Sequence, residues 1–270
     1  AAGRLVYRGT YRTSQSSPQT APGTYITRQG DTAPVVRASF ETRQVDTLGQ
    51  VKLAVAQSTQ RVISTDGTVT TTIRVNPVTV GDDWSVCVDG SIAILRARDY
   101  HVDWVRPDGA RSSTPRIPFS WRRIPDEEKQ ALADSARVAE EARIRDARER
   151  AAVARAAAPP GGQALGRGVT VTTNAQAGTS AAVTGDVRIG TVPLSDIPDY
   201  YPPFRPGAAQ ADLDGNIWIL TYTSVLAGST GSVYDVINCR ADLVERVRLP
   251  AGRSIAAFGR AGAIYMVWRD

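Results

Sequence analysis

The sequence predicts an all-β protein of the β-propeller class, made of four-stranded antiparallel blades with one long inserted α-helix. A tight Asp-Gly turn followed by an alternating strand occurs twice, in residues 88–95 and 213–220. Each copy continues through a strand, a polar turn, a further strand and a proline, and residues 261–268 form a third, partial copy. Repeated units of short strands joined by tight turns are typical of propellers.

The N-terminal segments follow the same pattern less clearly. Residues 46–49 precede an alternating strand at 51–55, and Asp66-Gly67 predicts a turn before the Thr-rich strand at 68–75. Residues 169–192 predict further short strands. With blades of about 40 to 50 residues, the β part holds about five or six. Two alternatives remain open: N-terminal strands such as residues 3–8 close the ring, or the set of blades is incomplete.

Residues 126–158 predict a charged helix inserted between blades of a single domain spanning 1–270. The segment is rich in alanine and lacks Gly and Pro; Pro125 and three acidic residues precede or open it. Its large apolar residues form no continuous stripe, so it is not a coiled-coil seam. Either it is a solvated helix that leans on the β domain over part of its length, or it docks a partner.

Composition narrows the function classes. Hydrophobic residues make up 42% and charged residues 22%, as in ordinary globular proteins. The net charge of +5 is not concentrated in one patch, so nucleic-acid binding is not predicted. No apolar run is long enough to predict a membrane span. The two cysteines, Cys87 and Cys239, fall in different blades; they are either two free thiols or one long-range disulfide.

Catalytic motifs are missing from the sequence. The single histidine, His101, lies in an alternating strand with Asp103 on the same face. No Gly-x-Ser-x-Gly, His-Glu-x-x-His or glycine-rich phosphate loop accompanies it. We therefore predict no catalytic residue, metal site or cofactor, while the question of enzymatic activity stays open.

Two parts of the chain resemble a known family. Residues 208–220, with 234–237 and 243–250, resemble the blade core of bacterial six-bladed propellers of the NHL and TolB-like kind. Residues 84–118 resemble a second blade, and the resemblance extends over 81–125 and 193–270. It implies an exported bacterial protein, periplasmic or extracellular, with a leader that this chain does not include. It implies little about function, because this fold hosts many tasks.

Ligand sites of propellers lie in the loops that enter the first strand of a blade or join its second and third strands. Here these loops are residues 81–83, 96–100, 196–205 and 223–232. Loop 196–205 is aromatic and stiffened by proline, and it carries both charge signs. Tyr and Arg are enriched in binding hot spots, and stiff loops lose less entropy on binding. The predicted ligand-binding residues are Asp82, Asp83, Asp199, Tyr200, Tyr201, Phe204 and Arg205.

Alternatives remain for these loops. The aromatic residues of loop 196–205 either contact a ligand or fold back over the blade core. The favoured function is a non-catalytic scaffold that binds a protein, peptide or glycan at the loops. The alternative is a metal-dependent hydrolase of the lactonase or esterase type, using Asp82, Asp83, Asp196 and Asp199 as hard oxygen ligands. The acids of the two Asp-Gly turns, Asp89 and Asp214, are interpreted as turn formers.

Overall fold

The computed structural model describes residues 4–9, 12–15, 24–63, 69–156, 185–226, 231–240 and 242–268. The chain is mostly β, with several small sheets and one long α-helix, which confirms the predicted class at this level. The strands are β1 (Arg4–Arg8), β2 (Arg12–Gln15), β3 (Thr24–Gln29), β4 (Thr32–Ser39), β5 (Val45–Lys52), β6 (Gln57–Ile63), β7 (Val69–Val75), β8 (Asp83–Val86), β9 (Ile92–Arg96), β10 (His101–Val105), β11 (Arg111–Ser113), β12 (Gly185–Thr191), β13 (Ala209–Ala211), β14 (Ile217–Leu220), β15 (Val233–Ile237), β16 (Leu243–Arg248), β17 (Arg253–Phe258) and β18 (Ile264–Trp268). The helices are α1 (Asp126–Ala156), α2 (Tyr222–Leu226) and a short 3-10 turn (Leu194–Asp196).

Five sheets result. Sheet 1 has the order β1-β4-β5, and sheet 2 has the order β12-β7-β6-β3-β2. Sheet 3 (β8 to β11) and sheet 4 (β13 to β16) are four-stranded antiparallel meanders, and sheet 5 is the β17-β18 hairpin. The repeated unit predicted from the two Asp-Gly turns is thus present in sheets 3 and 4. Gly90 and Gly215 lie in those turns with φ of 84° and 88°, a conformation that glycine adopts without steric cost.

The sheets stack face to face because sheets 3 and 4 are apolar on both sides. Leu95 and Trp104 of sheet 3 pack against Ile219 of sheet 4, and this shared core is fully buried. The opposite face of sheet 3 packs on sheet 1, and the opposite face of sheet 4 packs on sheet 5. The stacking order is therefore 1-3-4-5. The described residues do not form a closed ring of blades.

The N-terminal region differs from the prediction. Residues 46–49 lie inside β5, because β5 pairs with β4 from Val45 to Lys52 with one irregularity, so the strand predicted at 51–55 begins earlier and ends at Lys52. Only residues 30–31 separate β3 from β4, so the strands of sheet 1 continue into sheet 2 as bent ribbons. Of the two alternatives for the ring, closure by residues 3–8 is not found in the described part of the chain, because β1 pairs with β4 and not with sheet 5.

Two further predictions fall partly outside the described residues. The predicted turn at Asp66-Gly67 lies outside the described residues. The strands on either side of it, β6 and β7, pair antiparallel. Of the predicted strands at 169–192, only β12 is described. It pairs in parallel with β7.

Helix α1 spans Asp126–Ala156, close to the predicted 126–158. One side of its first turns is buried: Ala133 packs with Ile124 and Tyr201 in a small apolar cluster. Further along, α1 lies on β7 and β12, and Glu140 accepts a hydrogen bond from Gln57 at 2.8 Å. Val153 is exposed. The helix therefore contacts the β domain along part of its length. Within the described segments, no helix is both long and apolar enough to cross a membrane.

Candidate functional site

Loops from sheets 3 and 4 meet at one end of the stack. Residues 97–100 join β9 to β10, and residues 197–208 lead into β13. Backbone hydrogen bonds fix the second loop: the Tyr201 amide donates to the Arg122 carbonyl at 3.0 Å, and the Ile124 amide donates to the Asp199 carbonyl at 2.8 Å. The backbone of loop 196–205 is therefore fixed against residues 122–124.

An open cleft lies between these segments. Its volume is about 1040 Å³, and its walls come from residues 97–99, 116–121 and 198–202. We call it the loop cleft. Two of the four predicted ligand-binding loops, 96–100 and 196–205, contribute to it. The segment 116–121, which follows sheet 3, was not among them.

Two exposed aromatic side chains line the loop cleft. Trp121 is 41% exposed and Tyr200 is 48% exposed, with their ring centroids 6.5 Å apart in an edge-to-face arrangement. Trp121 also meets Phe119 edge-to-face at 5.4 Å, and Phe119 meets the buried Tyr100 at 5.5 Å. Because this series of rings runs into the core, the exposed pair rests on rigid support.

The acidic side chains of the loop cleft are bound to other residues, whereas its arginines are bound to none of the described ones. Asp199 accepts a hydrogen bond from the Lys129 ammonium at 2.6 Å, which holds the pKa of this carboxyl below its ordinary value. Asp99 bonds the Nδ1 of His101 at 2.9 Å. Arg98 and Arg116 are exposed and form no ion pair with any described residue. The acids of the cleft are thus already paired, whereas its two guanidinium groups are free to meet an anion.

Asp82 and Asp83 lie outside the loop cleft and connect backbone segments. Asp82 accepts from the Arg96 guanidinium at 2.7 Å and from the backbone amide of Lys52 at 3.0 Å. Asp83 is 8% exposed and accepts from the amides of Gly207 and Ala209, both at 2.9 Å. Burial raises the pKa of Asp83 despite these backbone hydrogen bonds. The two carboxylates therefore tie sheet 3 to its neighbours.

The aromatic residues of loop 196–205 divide between core and surface. Phe204 is fully buried between sheets 3 and 4. Tyr201 is buried and donates to Glu128 at 2.9 Å; burial, with this carboxylate, raises the pKa of Tyr201 to about 12. Arg205 lies over the Tyr222 ring, 4.0 Å from its centroid. Of the seven predicted residues, Asp199 and Tyr200 line the loop cleft, and Tyr201 and Phe204 fold back into the core.

Two residues of the loop cleft, Arg116 and Trp121, lie outside the predicted loops, and Arg98 lies in the predicted loop 96–100 without being among the seven predicted residues. The signal for Trp121 was the run from Phe119 to Arg123, in which aromatic and basic residues follow the proline that ends sheet 3. Only the fold brings that run beside loop 196–205, through backbone hydrogen bonds of residues 122–124.

The four acids of the hydrolase alternative do not converge. Asp82 and Asp83 bind separate backbone segments, and Asp199 binds Lys129. In the part of the chain that is described, no group of three or more His, Cys, Asp or Glu side chains is arranged to hold a metal ion. His101 is flanked by Asp99 and by Asp103, whose Oδ1 lies 3.4 Å from Nε2.

Comparisons of this chain with protein-family models, with curated proteins and with solved structures found no match. The function is therefore argued from the geometry and charge of the loop cleft.

Proposed function

We propose that this chain is a non-catalytic binding module and that the loop cleft receives an acidic, extended segment of a partner protein or peptide. One observation carries the proposal: two guanidinium groups that form no ion pair with a described residue line the same cleft as an exposed Trp–Tyr pair. The carboxylates nearby are occupied by Lys129 and His101.

The charges favour an anionic ligand. A carboxylate can take two parallel hydrogen bonds from one guanidinium, a geometry that lysine cannot offer. Because Arg98 and Arg116 are exposed, each pair adds little affinity alone, about 1 kcal/mol or less. Their main effect is on the choice of partner and on the rate of association, and both effects weaken as salt screens them.

The aromatic pair supplies the apolar contact. Trp, Tyr and Arg are the residues enriched at the centres of protein interfaces. Trp121 and Tyr200 meet edge to face, so they present a wedge between two rings instead of a flat platform. Such a wedge accommodates the side chain of an extended peptide better than the flat face of a sugar. The rings below it, which meet edge to face, are already ordered, so little entropy is lost on binding.

The architecture that we propose for this module is a β-propeller in which sheets 1, 3, 4 and 5 act as blades. Sheets 3 and 4 support it because both are four-stranded meanders, and their first strands are joined through Asp83. We also propose that the chain is an exported bacterial protein of the NHL and TolB-like kind. The basis for that is the resemblance of residues 81–125 and 193–270 alone.

Binding of a fluorescein-labelled peptide rich in Asp and Glu, with one central Phe, tests the function. We expect the Arg98→Glu/Arg116→Glu double variant to bind at least about 10-fold more weakly, and Trp121→Ala to lose about as much. Arg260→Glu is the matched control, because Arg260 is an exposed arginine in the distant β17-β18 turn. Its affinity should stay within about twofold of the wild type.

Three outcomes would contradict the proposal. The peptide shows no binding at low salt, or Arg260→Glu weakens binding as much as the cleft variants do. In the third, an uronic acid oligosaccharide binds with the same dependence on Trp121 while the peptide does not, and the ligand is then a glycan. Thermal melts of every variant establish that the fold is intact.

A further inference from the structure

The two cysteines of the chain lie in neighbouring turns, which Arg106 bridges by donating to Ser91 in one and to the Cys239 carbonyl in the other. Cys87 follows β8 in the turn to β9, and Cys239 lies in the turn between β15 and β16. Cys239 packs against the buried cluster that contains Cys87. Burial raises the pKa of the Cys87 thiol, and the hydrogen bonding and charge of the neighbouring Cys239 thiol raise it further. Both residues are thiols in the structure.

We propose that Cys87 and Cys239 form a disulfide that joins sheets 3 and 4 at the end opposite the loop cleft. The chain has only these two cysteines. They are far apart in sequence and belong to different sheets, yet the fold brings both into the same small region. The proposal is independent of what the loop cleft binds.

The surroundings hold the two turns together whatever the state of the sulfur atoms. Arg106, at the end of β10, donates to the Cys239 carbonyl at 3.1 Å and lies 5.1 Å from the centroid of the Trp104 ring. The Cys239 thiol donates to the Gly215 carbonyl at 2.7 Å. These contacts already seat the sheet 4 turn against sheet 3 at the place where the S–S bond would form.

The oxidation is a thiol–disulfide exchange with a small disulfide such as oxidised glutathione. Cys239 is the more exposed cysteine, so its thiolate attacks first, forms a mixed disulfide and expels one glutathione thiolate. Cys87 then loses its proton and attacks the Cys239 sulfur, and the second glutathione leaves. The two cysteine thiols lose two protons and two electrons, and one glutathione disulfide becomes two thiols. The Cys239 hydrogen bond to Gly215 is given up.

A link at this position has a clear structural effect. In sheet 3, the Cys87 turn and the loop 97–100 lie at opposite ends of β9. A covalent bond at one end therefore limits how far sheets 3 and 4 can rotate apart at the other, where loops 97–100 and 197–208 face each other. It also restricts the unfolded chain across a long loop, which stabilises the native state. Disulfides of this kind persist in oxidising compartments.

The test uses the whole chain equilibrated in a glutathione buffer of oxidising ratio, then denatured, alkylated and mapped by mass spectrometry. We expect one peptide pair linked through Cys87 and Cys239 and no alkylated cysteine. Added reductant should lower the Tm of the wild type by about 5–10 °C. The Tm of Cys87→Ala/Cys239→Ala should not respond to reductant, and Cys239→Ala alone serves as the variant that leaves the buried position intact.

Three results would overturn the proposal: both cysteines alkylated after equilibration, glutathione attached to each cysteine separately, or a disulfide between two chains. A failed peptide-binding experiment would leave this result untouched, because the mapping reads sulfur chemistry alone.

Discussion

Removing the Tyr100 hydroxyl tests what holds sheets 3 and 4 together. Tyr100 and Asp235 are each 1% exposed, and the hydroxyl of the first donates to the carboxylate of the second at 2.9 Å. Arg246 donates to the other carboxylate oxygen, also at 2.9 Å. Tyr100→Phe keeps the ring and its contact with Phe204, so it removes the hydrogen bond alone.

The expected loss follows from the charge and burial of the acceptor. A hydrogen bond to a charged group contributes about 1.5–3 kcal/mol. Because Asp235 stays buried with one donor fewer, we expect Tyr100→Phe to lower the free energy of unfolding by about 2–3 kcal/mol. The Tm should fall by about 5–10 °C. Tyr200→Phe is the matched control, since Tyr200 is 48% exposed, and it should change stability by less than about 0.5 kcal/mol.

Urea unfolding at neutral and alkaline pH provides the assay. Burial and the Asp235 carboxylate raise the pKa of Tyr100 well above its ordinary value of 10.0. As the pH rises above 10.0, the unfolded chain loses this proton before the folded chain does, so the wild type loses stability that Tyr100→Phe does not. Equal losses for Tyr100→Phe and Tyr200→Phe at neutral pH would refute the assigned role of the Tyr100–Asp235 bond.

Two further substitutions probe the same region. Asp83→Ala leaves two buried backbone amides of the segment entering β13 without an acceptor, and we expect a loss of about 2–5 kcal/mol in urea unfolding. Asp83→Asn keeps one acceptor oxygen and should lose clearly less; equal losses would contradict this account. Gly231→Ala should be the more severe of two glycine variants, because its Cβ would lie 2.0 Å from the Leu249 carbonyl oxygen at a φ of +84°. Gly109 has a φ of +89° and open space around it, so Gly109→Ala should lower the free energy of unfolding by about 1–2 kcal/mol in thermal unfolding. If Gly231→Ala lowers it by no more than that, the backbone at Leu249 moves away without cost and the predicted clash is wrong.

The parts of the fold that the sequence predicted are those determined locally. Each Asp-Gly turn in sheets 3 and 4 connects strands that are neighbours in sequence, so turn chemistry and alternation suffice. Asp214 was predicted to form the turn of sheet 4. The side chain that accepts hydrogen bonds there is instead Asp212, from the backbone amides of Asp214 and Asn216. The N-terminal strands were misassigned because residues 46–49 have turn composition but pair with β4.

The candidate site was predictable as a set of loops but not as a set of side chains. Asp82 and Asp83 resemble ligand-binding acids in the sequence because the amides that donate to them, those of Lys52 and Gly207, lie in distant segments. Tyr200 and Tyr201 are adjacent, yet one faces the cleft and the other the core. Which of two neighbouring aromatic residues is exposed depends on the backbone pairing with residues 122–124, and no local pattern encodes that pairing.

The parallel pairing of β7 with β12 affects the order in which sheet 2 can form. β6 and β7 form a hairpin that is closed by local contacts, but β12 follows only after sheet 3 and α1. Closing so long a loop costs entropy, and non-local pairing of this kind is slow. Until β12 arrives, the Thr-rich β7 has an unpaired edge that another chain can extend. Correct folding of this protein at high concentration therefore depends on how quickly β12 pairs with β7 of the hairpin that forms first.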